Sequence, residues 1–370
     1  MSILPTVQIY FLTLATVQAR ETLWASLANS TRRSRKPKVE AIILINNMET
    51  SILQNTEQPQ NYRLEFFGKG SDYFAIMIVN WLLTLITIGL YYPWARANRL
   101  RYVYGQTALN NDRFHFAGTG KEMFRGFIKI ILFCIVLIVS YVLLLKLAKA
   151  PMLAIIFLYL GFFAIIPFSI HGSFCYRMSR TSYRGVRFGY RGNRNEFVKY
   201  FFKWVFFTVI TFGIYGAWLQ MNIRKYTHQN IRYGDVEFSN NANGDYWFLI
   251  NLKGYFFTII TLGIYAFWWQ SEIFAYYIDN MKMTKSEQKI KCYSTATGGG
   301  FFGLLIVNFL ITVFTLGFGK AWADMRTQKF IFDNVKMEGD INLDEIHQTE
   351  EEYTNAFGEG AMDFLEINLA

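Results

Sequence analysis

Two amides and eight threonines are the residues of this chain best placed to do chemistry. Asn80 and Asn308 lie nine residues before Gly89 and Gly317, deep in apolar runs, and the matching positions elsewhere hold Trp204 and Gly254. An amide inside an apolar helix needs hydrogen-bonding partners, so a matched pair predicts either bonds between helices or a polar path. Around them a phrase recurs four times: Thr84, Thr87, Gly89, Trp94; Thr208, Thr211, Gly213, Trp218; Thr258, Thr261, Gly263, Trp268; and Thr312, Thr315, Gly317, Trp322. Threonines three apart share a helix face and the glycine lies close to it, giving each copy a smooth, hydroxyl-bearing edge. Small edges let helix backbones approach in lipid, and the hydroxyls can bond to carbonyls one turn earlier. Sequence alone leaves helix packing and a polar pathway both open.

Other chemistry is excluded more readily. The chain has no phosphate-binding glycine loop with its lysine, no nucleophile elbow and no zinc-binding histidine pair. Gly298, Gly299 and Gly300 read as a flexible lead into the last apolar run. The four histidines are scattered, with His115 and His171 read as polar interfacial residues, and Cys134, Cys175 and Cys292 match no metal or redox spacing. No catalytic residue, cofactor site or metal site is therefore predicted, and the chain reads as non-enzymatic. No Asp or Glu lies well inside an apolar run, and Lys203 is near enough to an end to snorkel. That weighs against a proton- or ion-coupled pump.

The elements that must position these residues are hydrophobic helices. Among 370 residues there are 36 phenylalanines and 18% aromatic side chains, and the mean hydropathy is +0.17. Apolar runs near the length of about 20 residues that crosses a bilayer recur. Six spans are expected, near 73–92, 124–146, 152–172, 200–217, 247–267 and 301–320. The fold class read from this is an all-α multi-pass membrane protein with internal repeats and small β-hairpins in its loops. The net charge of +10 sits mostly beyond the ends of the runs, where it holds topology and meets anionic headgroups, so the bilayer and not nucleic acid is the expected partner.

Residues 1–47 form an atypical extension, with a basic cluster from Arg32 to Lys38 that reads as a membrane-surface anchor or, with Met48 as the natural start, as extraneous. Residues 48–336 carry the repeats. Each apolar run is preceded by a short alternating stretch, such as Leu64 to Phe67 or Arg113 to Phe116, and by glycines. Turn signals at Asn110, Asn111 and Asp112, at Arg184 and Gly185, and at Gly234 and Asp235 fit two-stranded hairpins. Residues 124–172 depart from this rhythm and read as an inserted helical hairpin, and residues 337–370 as an acidic, solvated tail. The basic loops 95–123 and 173–199 are placed in the cytoplasm. Strict alternation then inverts each unit, as in many transporters; the rival is that some runs are re-entrant and every hairpin shares one face.

The stretch Thr87-Ile88-Gly89-Leu90-Tyr91-Tyr92-Pro93-Trp94-Ala95-Arg96, followed by Arg113 to Gly120, closely resembles the YjgN-type bacterial inner-membrane proteins, a family of unknown function. The resemblance runs from about Tyr62 to Lys336, weakens in later copies such as Phe318-Gly319-Lys320, and implies residence in the bacterial inner membrane. It supplies no binding residues. Two functions are expected from the whole: passage or binding of a small solute through a bundle edged by threonines, or a scaffold that contacts lipid or another membrane protein through its basic hairpins. Protein partners and oligomeric state are left open.

Overall fold

The computed structural model describes residues 60–349 apart from 147, 148 and 150. The N-terminal extension and the end of the acidic tail lie outside the described residues. The first apolar run is helical from Gly70 to Ile86 (α1) and then reverses, so that a second, more polar helix, Tyr92–Gln106 (α2), returns beside it. The same reversal joins Arg194–Ile210 (α5) to Gly216–Gln229 (α6), Gly244–Ile260 (α7) to Ala266–Asp279 (α8), and Gly298–Phe314 (α9) to Lys320–Asp333 (α10). Two longer helices, Gly120–Lys146 (α3) and Pro151–Arg180 (α4), make the remaining pair. Each helix packs on the next, and α10 packs on α1, so the helices close a ring.

Between the pairs the chain runs through short strands: β1 (Gln60–Tyr62), β2 (Leu64–Phe66), β3 (Thr107–Leu109), β4 (Asp112–Phe116), β5 (Thr181–Tyr183), β6 (Val186–Tyr190), β7 (Ile231–Tyr233), β8 (Val236–Asn240), β9 (Met281–Lys285), β10 (Gln288–Ser294) and β11 (Val335–Gly339). The chain does reverse between strands at Asn110 and Asn111, at Arg184 and Gly185, and at Gly234, all with positive φ. These hairpins do not stay separate in the loops. β4 pairs with β5, β6 with β7, β8 with β9 and β10 with β11, all antiparallel. β1 takes the free edge of β11 while β2, one residue later, takes that of β3, so a single stretch holds both ends of an 11-stranded sheet and nearly closes it.

The sheet interior explains the alternation in the strands. Tyr62, Tyr183, Tyr233, Val236, Ile290, Cys292 and Met337 point inward, and the segment after β11 enters among them with Ile341 and Ile346 buried. Tyrosine hydroxyls are bonded to backbone there: Tyr62 donates to the Ile341 carbonyl at 2.5 Å, Tyr183 to Leu109 at 2.7 Å and Tyr233 to Tyr183 at 3.0 Å. Arg184 joins the rim to this segment, reaching Asp112 and Asp344 at 2.5 Å each.

The all-α, six-span reading is therefore corrected. The protein carries an extended antiparallel sheet, and among the described residues only α3 and α4 are long and apolar enough to cross a membrane. At 27 and 30 residues they reach about 40 and 45 Å, past a hydrocarbon core of about 30 Å. The runs expected as spans near 73–92, 200–217, 247–267 and 301–320 instead break at Ile86, Ile210, Ile260 and Phe314. Their first helices of 17 residues are about 25 Å long.

Candidate functional site

The threonine–glycine phrase is the turn itself. In the first copy, backbone bonds run from Thr87 N–H to Leu83, from Ile88 to Leu85, from Gly89 to Thr84 at 2.8 Å, from Leu90 to Thr87 and from Tyr92 to Gly89. The one N–H that no carbonyl takes, that of Tyr91, is accepted by the Thr87 hydroxyl at 2.9 Å, while that hydroxyl donates to the Leu83 carbonyl at 2.7 Å. One side chain thus stitches the end of the first helix to the start of the second. Thr211 and Thr261 do the same for Tyr215 and Tyr265 at 2.9 Å. A reversal that satisfies its own N–H groups can lie where no water reaches it.

The other threonine of each phrase bonds one turn back, as expected: Thr84 to Asn80, Thr208 to Trp204 and Thr312 to Asn308 at 2.7–2.9 Å. Thr258 is the exception. Its hydroxyl is buried without a partner, as is the indole nitrogen of Trp269, whose ring lies over Gly254.

Positive φ is needed at two successive positions of each turn. Gly89, Gly213, Gly263 and Gly317 have φ of 87 to 95°, and the residue before each, Ile88, Phe212, Leu262 or Leu316, has φ of 49 to 51°. A large apolar residue rarely adopts that conformation. Here each is held in it at the tip of the hairpin, 92, 98, 94 and 89% exposed respectively. Leu90, Ile214, Ile264 and Phe318 are exposed beside them.

The amides do not meet one another. Asn80 reaches the Ala95 carbonyl at 3.5 Å and accepts from Asn98 at 3.1 Å; Asn308 donates to Ala323 and Thr327 at 3.3 and 2.9 Å and accepts from Arg326 at 3.2 Å. Each therefore ties its own helix to the partner returning from the turn. The motif tryptophans have a further role beyond their type. Trp94, Trp218, Trp268 and Trp322 lie against Gly120, Gly244, Gly298 and Gly70, the first residues of the next pair's leading helix, where a Cβ would overlap the indole. Glycines before each run and tryptophans after the previous one are thus two halves of one contact, visible in sequence as matched positions in successive copies.

Two polar arrangements were not legible. Where α3 meets α4, Thr119 and Glu122 cap the helix reciprocally, and Glu122 also holds Arg180 at 2.5 Å and Tyr176 at 3.0 Å. At the foot of α6, His228 Nδ1 donates to the Arg224 carbonyl at 2.7 Å, which leaves Nε2 to accept from Tyr277 at 2.7 Å; burial lowers its pKa. His171 bonds the Gly192 carbonyl at 2.8 Å, with Cys175 3.6 Å from its other nitrogen. Among the described residues no three His, Cys, Asp or Glu side chains gather as a metal site.

Bacterial protein of unknown function (DUF898) matches residues 61–257 and 269–364. The relatives include inner membrane protein YjgN of Salmonella typhimurium LT2, 38% identical over 138 residues, which are 37% of this chain and 33% of that protein. YjgN of Escherichia coli O157:H7 is 35% identical over 126 residues, 34% of this chain and 30% of the relative. YjgN of E. coli K12 is 33% identical over 134 residues, 36% and 32% respectively. The chain spans about a third of the length of the curated relatives it matches. No solved structure matches it.

Proposed function

The chain belongs to the DUF898 family of bacterial proteins of unknown function, and on that premise we propose that it is a non-catalytic, lipid-contacting scaffold of the inner membrane. Its repeated unit is a re-entrant helical hairpin: four dip into one leaflet from the side of the sheet, and α3 with α4 crosses the bilayer. The relatives' name, inner membrane protein, supports the location. The observation that carries the reading is the set of self-satisfied turns that present Ile88, Phe212, Leu262 and Leu316 almost fully exposed. Four such tips in water would be an apolar liability; in hydrocarbon each contributes favourably, about 25 cal/mol per Å² covered.

Lipid contact is favoured over solute passage because seven of the eight threonine hydroxyls, all but that of Thr258, are committed to backbone within their turns, and the amides to their own hairpin. Basic loops put the sheet on the cytoplasmic side. Single cysteines at Arg184 and at Asp235, which is exposed beside the buried Gly234, both at strand turns of the sheet, test this against alternation. Both should be protected from an impermeant reagent in intact cells and modified after lysis. Modification of either from outside contradicts the proposal.

A further inference from the structure

The segment that leaves β11 crosses the mouth of the sheet as a strap, and each of its first four residues is held differently. Asp340 accepts the Lys289 N–H at 2.6 Å. Ile341 is fully buried among the interior side chains, and its carbonyl takes the Tyr62 hydroxyl at 2.5 Å. Asn342 caps the short turn Leu343–Glu345, accepting the Asp344 N–H at 3.1 Å, while Leu343 packs against the buried cluster. The mouth therefore recognises an acid at one backbone N–H, an isoleucine in an apolar pocket, an asparagine that starts a turn and a leucine that covers the pocket.

The same four residue types return in the tail as Glu366-Ile367-Asn368-Leu369. Ile250-Asn251-Leu252 repeats the last three, but inside α7 and after Leu249 in place of an acid. The strap itself crosses from the Tyr62 side to Thr349, which donates to the Gly234 carbonyl at 2.8 Å. Sixteen residues, 350–365, then lead to Glu366, a longer stretch than the one that made the crossing, so the tether is long enough to bring the second copy back to the pocket. Charge favours the return, because Arg184 and Lys285 stand at the strap and the tail carries Glu350, Glu351, Glu352 and Glu359. One difference sets the order of preference. Asp344 of the strap pairs with Arg184 at 2.5 Å, and the corresponding position after Leu369 is Ala370, so the second copy offers no side-chain carboxylate to that guanidinium and is the weaker occupant.

We infer that the mouth of the sheet is a docking site for acid-Ile-Asn-Leu segments, in which Glu366–Leu369 exchanges with Asp340–Leu343 of the same chain. Seating the second copy turns Ile341 out of its pocket and releases Arg184 from Asp344.

The full chain, with the photoreactive residue p-benzoylphenylalanine in place of Leu369, is irradiated in mild detergent and its cross-links are mapped by mass spectrometry. Leu343, the counterpart of Leu369, is only half-buried, which leaves room for the larger ring. Cross-links within one chain should fall around Tyr62, Ile290 and Met337, which are buried in one cluster with Ile341. Asp344→Ala removes the strap's exposed ion pair and should raise their yield about three-fold, while Ile367→Asp should abolish them, because a carboxylate does not enter an apolar pocket unpaired. Both substitutions lie at or beyond the exposed part of the strap, so the sheet stays folded in each. Cross-links that fall elsewhere in the chain or only between two chains, or equal yields from the native, D344A and I367D forms, overturn the proposal.

Discussion

Thr315 accepts the backbone N–H of Gly319 at 2.6 Å, in the place where the other three turns present a tyrosine. The bond therefore does not depend on the aromatic ring that accompanies it elsewhere. What persists is a hydroxyl that takes the single N–H no carbonyl reaches, and Thr315 also donates to Ile311 at 2.6 Å. In hydrocarbon an N–H left unmade has no water to turn to.

Thr315→Val and Thr87→Val should each destabilise the folded protein by about 1–3 kcal/mol, the desolvation penalty of one unpaired backbone group. Serine at either position keeps the hydroxyl and should recover most of the loss. Thermal unfolding in detergent compares the three, and valine variants as stable as native would remove the threonine from the account of the turn.

Glycines in the turns and at the helix starts should fail for different reasons. Gly213 has φ of 91° with nothing within 4 Å of an added Cβ, so Gly213→Ala should cost only backbone strain, about 1–2 kcal/mol. Gly244→Ala would drive a methyl into the Trp218 indole. It should cost more, by overpacking of about 1–3 kcal/mol, and the additional Trp218→Leu change should relieve part of it. The two-mutation cycle, read as unfolding free energy, separates the two causes.

Glu122 sits between a half-satisfied helix start and the Arg180 guanidinium, whose side chain is only 8% exposed. Glu122→Ala removes a cap and the carboxylate that Arg180 bonds at 2.5 Å, so a loss of about 1–3 kcal/mol in unfolding free energy is expected. Asp at the same position, too short to reach both partners, should fall between the two.

Inside the sheet, burial pushes the Tyr183 hydroxyl up to about 12 and raises Tyr62 and Tyr233 above the usual 10. The unfolded chain releases these protons at lower pH than the folded one. Their contribution is thus complete below pH 10 and is lost as pH climbs from there through about 12. Alkaline titration should show tyrosinate absorbance from these residues rising together with loss of the sheet signal in circular dichroism. Tyr183→Phe should move the midpoint upward.

Much of this architecture can be traced to sequence once its logic is known, and the gaps have physical causes. The back-bonding of Thr84, Thr208 and Thr312 follows from residue type, and the strand turns from Asn110, Asn111, Gly185 and Gly234, residues that tolerate positive φ. The helix reversals are hidden because their tips, Ile88 with Leu90 and Phe212 with Ile214, are apolar, whereas turn residues in water are polar. On the proposed reading, that inversion is the mark of a turn made for lipid. The sheet is hidden for another reason. Its strands have three to seven residues, and each hairpin's outer partners come from neighbouring units, with β1 closing on β11 from the far end of the chain. As for the candidate site, equivalence of Asn80 and Asn308 was plain, but whether they face each other or their own partner helices is decided by the reversal.

The central claim is that the four turns lie inside the bilayer on the side of the sheet. Nitroxide labels at Ile88→Cys and Phe212→Cys, each in a Cys134→Ala background reconstituted in lipid vesicles, test it most directly through their relative accessibility to oxygen and to a water-soluble nickel chelate. The account predicts high oxygen and low nickel accessibility at both tips, with the reverse at a label on Arg184→Cys. Free access of the nickel chelate to Ile88 and Phe212 would contradict it.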